Sequence, residues 1–304
     1  RHDESEWVRY LIYRYKFVLY PKRKIQSQFP IYLLIEPTSV CNLRCVMCFQ
    51  VDKSFTKQPF MGMMDFDLFK RVVDEAVDGG TGGITLASRG EPTLHRQLPA
   101  MLKYLSGKFF EIKLTTNATK LTESLIHDIF QSGVDLVVFS VDAHQKEVYE
   151  QIRVRGDFDI VHKNIQMFHE IREKHYADSS LVTRISAVKF REDQDPEGFS
   201  DFWGDFVDEV GMKEAAARWD TYNNEPSSDS EAPCGYLWER LYVWYDGSIS
   251  PCDADYKSML AVGSIENSSI RDIWHGGRIN EIRRNHKLGQ RANCFPCDRC
   301  GITY

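Results

Sequence analysis

The stretch Ile31-Tyr32-Leu33-Leu34-Ile35-Glu36-Pro37-Thr38-Ser39-Val40-Cys41-Asn42-Leu43-Arg44-Cys45-Val46-Met47-Cys48-Phe49 decides the reading of this chain. Five consecutive apolar residues closed by Glu36-Pro37 are the pattern of a buried strand, as in a parallel sheet. The three cysteines that follow are spaced C-x3-C-x2-C, so they sit together on the loop leaving the strand. Three thiolates on one loop can bind three irons of a cubane cluster and leave the fourth iron without a protein ligand. A structural zinc ion normally takes four protein ligands, and no fourth Cys or His lies nearby in the sequence.

Outward from this strand, short β-branched runs alternate with longer amphipathic stretches. The expected strands are Ile31–Glu36, Gly83–Ala87, Glu111–Thr115, Leu136–Val141, Thr183–Val188 and Glu214–Arg218. The expected helices are Asp65–Val77, Leu98–Leu105, Glu123–Gln131, Gln145–Ile152, Phe158–Lys174 and Gly198–Glu209. Strands alternating with helices predict an α/β fold whose parallel sheet is curved or closed into a barrel. The working face of such a barrel is at the C-terminal ends of its strands. Residues 1–30 read as a helical N-terminal extension, with Lys22-Arg23-Lys24 as a solvated turn. Residues 221–233 are rich in Ser, Asp and Pro and read as a linker between a core at 31–220 and a second unit at 234–304.

The chain has 304 residues, 42% hydrophobic and 27% charged, with a net charge of −6 and a pI near 5.9. An acidic balance argues against nucleic-acid and anionic-membrane partners, which need a basic face. No apolar run approaches the length of a membrane span. Arg1-His2-Asp3-Glu4 lacks the basic-then-apolar layout of a signal peptide, so a cytoplasmic location is expected. The eight cysteines fall at 41, 45 and 48 and then at 234, 252, 294, 297 and 300. Tight clusters in a chain without such a leader point to metal or redox centres rather than disulfides.

With its C-x3-C-x2-C loop after the first strand of a β/α repeat, the chain resembles the radical S-adenosylmethionine (SAM) superfamily. The resemblance implies a [4Fe–4S] cluster on Cys41, Cys45 and Cys48. SAM would chelate its open iron and be cleaved reductively to a 5′-deoxyadenosyl radical. Phe49 corresponds to the residue beside the adenine, and Gly90-Glu91-Pro92 to the turn that binds the SAM ammonium group. The common pattern has glycine where this chain has Arg89. Strand-end residues Asn117, Ser140 and Asp142 fall where the ribose and methionine parts of SAM would lie, although Asn117 and Asp142 also suit helix capping. Arg153 corresponds to an arginine that pairs with the SAM carboxylate, with Arg155 as the competing choice. Val188 resembles an apolar adenine contact and equally suits the core.

The second cysteine group frames a hairpin around Asp246-Gly247. It resembles the SPASM domain or its shortened form, twitch, which carry auxiliary iron–sulfur clusters. Full SPASM domains hold about seven cysteines, and this segment holds five. The expectation is a small α+β domain with one auxiliary [4Fe–4S] cluster on Cys234, Cys252, Cys297 and Cys300. A four-cysteine zinc site needs the same number of ligands. Cys294 is left with three readings: a substitute ligand for Cys297 or Cys300, an inert thiol, or a catalytic hydrogen donor to a substrate radical.

Together these features imply a partial (β/α)6 barrel, the radical SAM core, followed by the auxiliary-cluster domain. They imply SAM as cofactor, a small-molecule substrate and an electron donor such as flavodoxin or ferredoxin. The first 30 residues are too short for a peptide-recognition domain, so a carbohydrate or aminocyclitol substrate is expected, ending in dehydrogenation or epimerisation. Peptide modification is the alternative, and a non-catalytic iron–sulfur or zinc scaffold is another of a different class.

Overall fold

A computed structural model of the chain describes residues 6–215, 220–226 and 232–300. The elements run α1 (Trp7–Arg23), β1 (Tyr32–Ile35), α2 (Phe66–Gly79), β2 (Gly83–Leu86), α3 (Leu98–Leu105), β3 (Glu111–Thr116), α4 (Glu123–Gln131), β4 (Leu136–Ser140), α5 (Lys146–Ile152), α6 (Phe158–His175), β5 (Val182–Lys189), α7 (Pro196–Gly204) and β6 (Glu209–Glu214). The C-terminal part adds β7 (Arg240–Val243), β8 (Ser248–Ser250), β9 (Gly263–Ser264), α8 (Ile270–Trp274) and α9 (Gly277–Lys287). Among the described residues the main sheet has nine strands in the order β9-β8-β7-β1-β2-β3-β4-β5-β6. Strands β1 to β6 are parallel and lie in chain order, which is the partial (β/α)6 barrel.

Local chemistry explains where the helices begin. Asp65, Thr122, Asp157 and Asp195 each accept a backbone N–H in the first turn of α2, α4, α6 and α7. Each thereby satisfies a donor that the helix itself leaves open. Strand β1 is buried on both faces. Leu33 and Ile35 join the large core beneath α2 and α3, and Tyr32 and Leu34 join a second cluster with Tyr13, Tyr242 and Trp244.

The sixth strand lies at Glu209–Glu214 rather than Glu214–Arg218, and α7 ends at Gly204 rather than Glu209. Alternating Val210 and Met212 pack on the core and set the strand register against β5, Arg184 opposite Glu209. Residues 216–218 of the expected strand lie outside the described residues. Residues 270–287 form two helices broken at Gly276, whose extended backbone (ψ 160°) separates them.

The hairpin forms at Asp246-Gly247. Gly247 has φ +79°, and Asp246 accepts the Ser248 N–H at 3.0 Å. Its first strand runs parallel to β1, from Tyr32 opposite Arg240 to Ile35 opposite Val243. The C-terminal segment therefore continues the core sheet. Of the expected linker, Thr221 is buried and the Tyr222 hydroxyl donates to Asp255 at 2.7 Å. Residues 227–231 lie outside the described residues.

Candidate functional site

The loop after β1 brings Cys41, Cys45 and Cys48 to one cavity of about 460 Å³ at the C-terminal ends of the strands. The loop is held from several sides. Arg44–Cys45 forms a short antiparallel ladder with Arg153–Val154, and the Cys48 N–H donates to the Cys45 carbonyl at 2.9 Å. Burial pushes the Cys41 and Cys48 thiols up to about 12 and raises Cys45 as well, with the neighbouring sulfurs adding to the effect on Cys41 and Cys48. Thiols so placed ionise only with a compensating cation, and an iron–sulfur cluster supplies it. The donor set therefore fits the implied group.

Gly90 explains its own identity. A Cβ there would lie 2.2 Å from the Thr38 carbonyl oxygen and 2.6 Å from that of Val40. The Glu91 N–H donates to the Val40 carbonyl at 2.9 Å, so the turn is laid directly on the chain entering the cysteine loop. The Glu91 carboxylate is buried and already engaged. It accepts from Thr93 N and Oγ1 (3.0 and 2.6 Å), from Thr116 Oγ1 (2.6 Å) and from Asn117 N (2.7 Å). Glu91 borders the cavity while bracing the turn against the end of β3. Pro92 starts a buried single turn behind it and is not on the cavity wall.

Asn117, Ser140, Arg153 and Val188 all line the cavity. Asn117 holds its own loop, accepting from Thr119 Oγ1 at 2.7 Å and donating to Asn42 Oδ1 at 3.1 Å. Asp142 lies behind the wall. One oxygen accepts the Val188 N–H at 2.9 Å, and the other pairs with Arg153 Nη2 at 2.8 Å. It thus orients the guanidinium instead of facing the cavity itself. Arg155 is exposed, in a positive-φ conformation (72°).

A second cavity is lined by Cys234, Cys252, Cys297 and Cys300. Burial, with the neighbouring sulfurs, pushes Cys252 and Cys297 well above the usual thiol range, and burial raises Cys234. Arg291 donates to the carbonyls of Cys297 and Cys300 (2.8 and 2.9 Å) and holds that loop closed. Among the described residues no three His, Cys, Asp or Glu groups converge tightly enough for a single metal ion. The four cysteines line this one cavity together with Asp255 and Arg291. Cys294, expected as a possible hydrogen donor, is not on either wall. It lines a different cavity of about 280 Å³ and accepts from Asn285 Nδ2 at 3.5 Å.

The two cysteine cavities adjoin through one peptide link: Cys252 lines the second and Asp253 the first. Beyond it, Tyr256 stacks on Phe49 with centroids 4.8 Å apart and donates to Asp52 at 3.0 Å. Lys257 also reaches Asp52, at 2.6 Å. Sequence reasoning missed Ser88, Lys213 and Glu214 as wall residues and the pairing of Arg89 with Glu36. Lys213 and Glu214 were hidden by the misplaced sixth strand. For Arg89 the signal was present, as a bulky cation where the common pattern has glycine.

Comparison with known proteins follows this geometry. Residues 35–199 match the model of the radical SAM superfamily. Residues 234–301 match that of the SPASM iron–sulfur cluster-binding domain. A tungsten-containing aldehyde ferredoxin oxidoreductase cofactor-modifying protein from Pyrococcus furiosus is 38% identical over 36% of this chain and 30% of its own length. A GTP 3′,8-cyclase from Desulforamulus reducens is 31% identical over 46% of this chain and 43% of its own. The chain thus spans less than half of either of these relatives. An S-adenosyl-L-methionine-dependent 2-deoxy-scyllo-inosamine dehydrogenase from Niallia circulans is 22% identical over 88% of this chain and 90% of its own. In fold, the chain is similar to BtrN in complex with AdoMet and 2-DOIA (TM-score 0.63, 18% identity, 91% and 94% covered). It is also similar to Streptococcus suis SuiB bound to precursor peptide SuiA (TM-score 0.67, 18% identity, 90% and 71% covered). The superfamily match spans more than half the chain and brings a SAM-bound [4Fe–4S] cluster, and the SPASM match brings auxiliary iron–sulfur binding. This chain belongs to the radical SAM superfamily and carries a SPASM domain at its C-terminal end.

Proposed function

We propose that this protein is a radical SAM dehydrogenase of a small polar substrate, of the carbohydrate or aminocyclitol kind, with one auxiliary [4Fe–4S] cluster. Cys41, Cys45 and Cys48 would hold the first cluster, and Cys234, Cys252, Cys297 and Cys300 the second. When bound, the first cluster and SAM supply a radical able to take hydrogen from an unactivated C–H bond. Phe49, backed by Tyr256, offers a flat apolar face to an adenine. Asp142 holds Arg153 so that its planar fork can meet a carboxylate at the wall. Asp253, on the cavity wall, would be the residue to accept the proton of a substrate hydroxyl.

The adjacency of Cys252 and Asp253 supports this reading, because a substrate in the first cavity would then lie one residue from the proposed auxiliary ligands. The position of Cys294 in a different cavity favours dehydrogenation over epimerisation, which needs a thiol at the substrate. A cavity of about 460 Å³ lies within the range of small-molecule sites. The relative matched over nearly all its length is named an inosamine dehydrogenase, which also supports the reading. The likeness to SuiB with its precursor peptide is what favours peptide modification as the second reading.

The test incubates anaerobically reconstituted protein with reductant, SAM and a panel of aminocyclitols and sugar alcohols in deuterated solvent. Release of 5′-deoxyadenosine with a product two hydrogens lighter is expected. A product that instead gains one solvent deuterium would mean epimerisation, and turnover of peptides alone would mean the second reading.

A further inference from the structure

Helix α1 has two apolar faces, and the fold uses one. Its inward face packs on the N-terminal ends of the strands. The Tyr13 ring lies parallel to Phe110 with centroids 6.0 Å apart, Phe17 sits 5.5 Å from Tyr32, and the Tyr13 hydroxyl donates to Glu111 at 3.1 Å. This is the end of the barrel opposite the cysteine loop. The outward face carries Trp7, Val8, Leu11, Ile12, Tyr15 and Val18, each between 42 and 64% exposed. At helical spacing these side chains form one continuous stripe. Contiguous apolar surface of this kind on a monomer marks an interaction site.

The charge around the stripe indicates the partner. Residues 6–24 hold six cations (Arg9, Arg14, Lys16, Lys22, Arg23 and Lys24) and a single acid, Glu6. That is a net +5 in a chain of −6, so the rest of the chain carries −11. The acidic total therefore hides a basic helix that keeps one apolar face exposed. Arg14 pairs with Glu111 at 3.3 Å. Lys22 and Arg23 are exposed at the helix end, and Lys16 flanks the stripe. A second copy of the chain fits poorly. Pairing α1 with itself sets +5 against +5. Elsewhere among the described residues the exposed large apolar side chains are scattered over separate elements, apart from Met259 and Phe295 at one cavity. Neither arrangement offers a matching apolar stripe of low positive charge.

An anionic lipid surface offers both halves of the match. We propose that α1 lies flat on an anionic membrane, with its apolar stripe among the headgroups and its lysines and arginines against their phosphates. Trp7 and Tyr15 are side chains that favour this interfacial depth. The contact proposed is peripheral, since the other face of α1 is packed on the barrel through Tyr13 and Phe17. Because α1 closes the far end of the barrel, docking leaves the cysteine cavity facing away from the bilayer. The proposal stands independently of the substrate reading.

Co-sedimentation of the full chain with vesicles tests it. Binding is expected to vesicles of phosphatidylcholine with added phosphatidylglycerol, to be weak on phosphatidylcholine alone and to fall as salt is raised. Leu11→Asn/Tyr15→Asn removes two exposed side chains, leaves the melting temperature unchanged and lowers binding by at least about tenfold. Lys22→Gln/Arg23→Gln/Lys24→Gln removes the preference for phosphatidylglycerol. Wild-type protein left in the supernatant with anionic vesicles overturns the proposal, as does unchanged binding by the Leu11/Tyr15 variant. Light scattering that shows a dimer broken by that variant, without vesicle binding, assigns the stripe to a second copy instead.

Discussion

Arg89 and Glu36 form a bidentate ion pair in the interior, with Nε to Oε2 at 2.7 Å and Nη2 to Oε1 at 2.6 Å, both side chains at most 2% exposed. The third nitrogen donates to the Tyr256 carbonyl at 3.0 Å, and the guanidinium lies 4.1 Å over Trp244. One arginine thus ties the end of β1, the turn before Gly90 and the C-terminal segment together. Breaking one side of such a pair strands a buried charge and costs about 3–5 kcal/mol. Arg89→Met should lower stability to urea by that order, and Glu36→Gln/Arg89→Met should be more stable than Arg89→Met alone. Purely additive losses would show that the pair is not coupled.

Gly90→Ala places a methyl group against backbone, which cannot swing away as a side-chain tip can. Overpacking of this kind costs about 1–3 kcal/mol and shifts the chain locally. The turn and the cysteine loop should move apart, lowering SAM affinity and 5′-deoxyadenosine yield by about tenfold or more. Auxiliary iron should be retained. Calorimetric titration with SAM and iron analysis on the same sample separate the two effects.

The cysteines near the C-terminal end make a sharp contrast. Cys297 lines the four-cysteine cavity, and Cys294, three residues earlier, does not. Cys297→Ser should lose about four irons per chain and Cys294→Ser none. Loss of iron in Cys294→Ser would reassign the ligand set.

His95 links stability to pH. Burial holds its pKa below the ordinary value. The neutral ring accepts from the Gln97 N–H at 3.1 Å through Nδ1, and Nε2 lies 2.9 Å from the Met64 carbonyl oxygen. Since the folded pKa is the lower one, its contribution is present above the unfolded value of about 6.5 and is lost as pH falls below it. Urea midpoints at about pH 7.5 and pH 5.5 should differ more for wild type than for His95→Gln. An equal difference would remove His95 as the cause.

Much of the site was legible because its residues follow strand ends, where burial pattern and loop position coincide. Cys41, Cys45, Cys48, Ser140 and Val188, singled out from loop position, strand end and resemblance, all line the one cavity. Asp142 was found at the right place but faces Arg153 rather than the cavity, since strand-end position does not report which way a side chain pairs. The sixth strand lies at Glu209–Glu214, five residues before its expected start, since Val210 and Met212 are its only large apolar residues and give a weak period-two signal. The parallel pairing of β7 with β1 left no local trace, because two segments some 200 residues apart meet only through tertiary packing.

The two sulfur sets, on separate cavities, are expected to hold two separate clusters. Iron and zinc analysis of anaerobically prepared wild type and Cys41→Ala/Cys45→Ala/Cys48→Ala tests it directly. About eight irons per chain are expected for wild type and about four for the triple variant, with no stoichiometric zinc in either. Zinc bound in the triple variant in place of those four irons would show a zinc site at the second sulfur set instead.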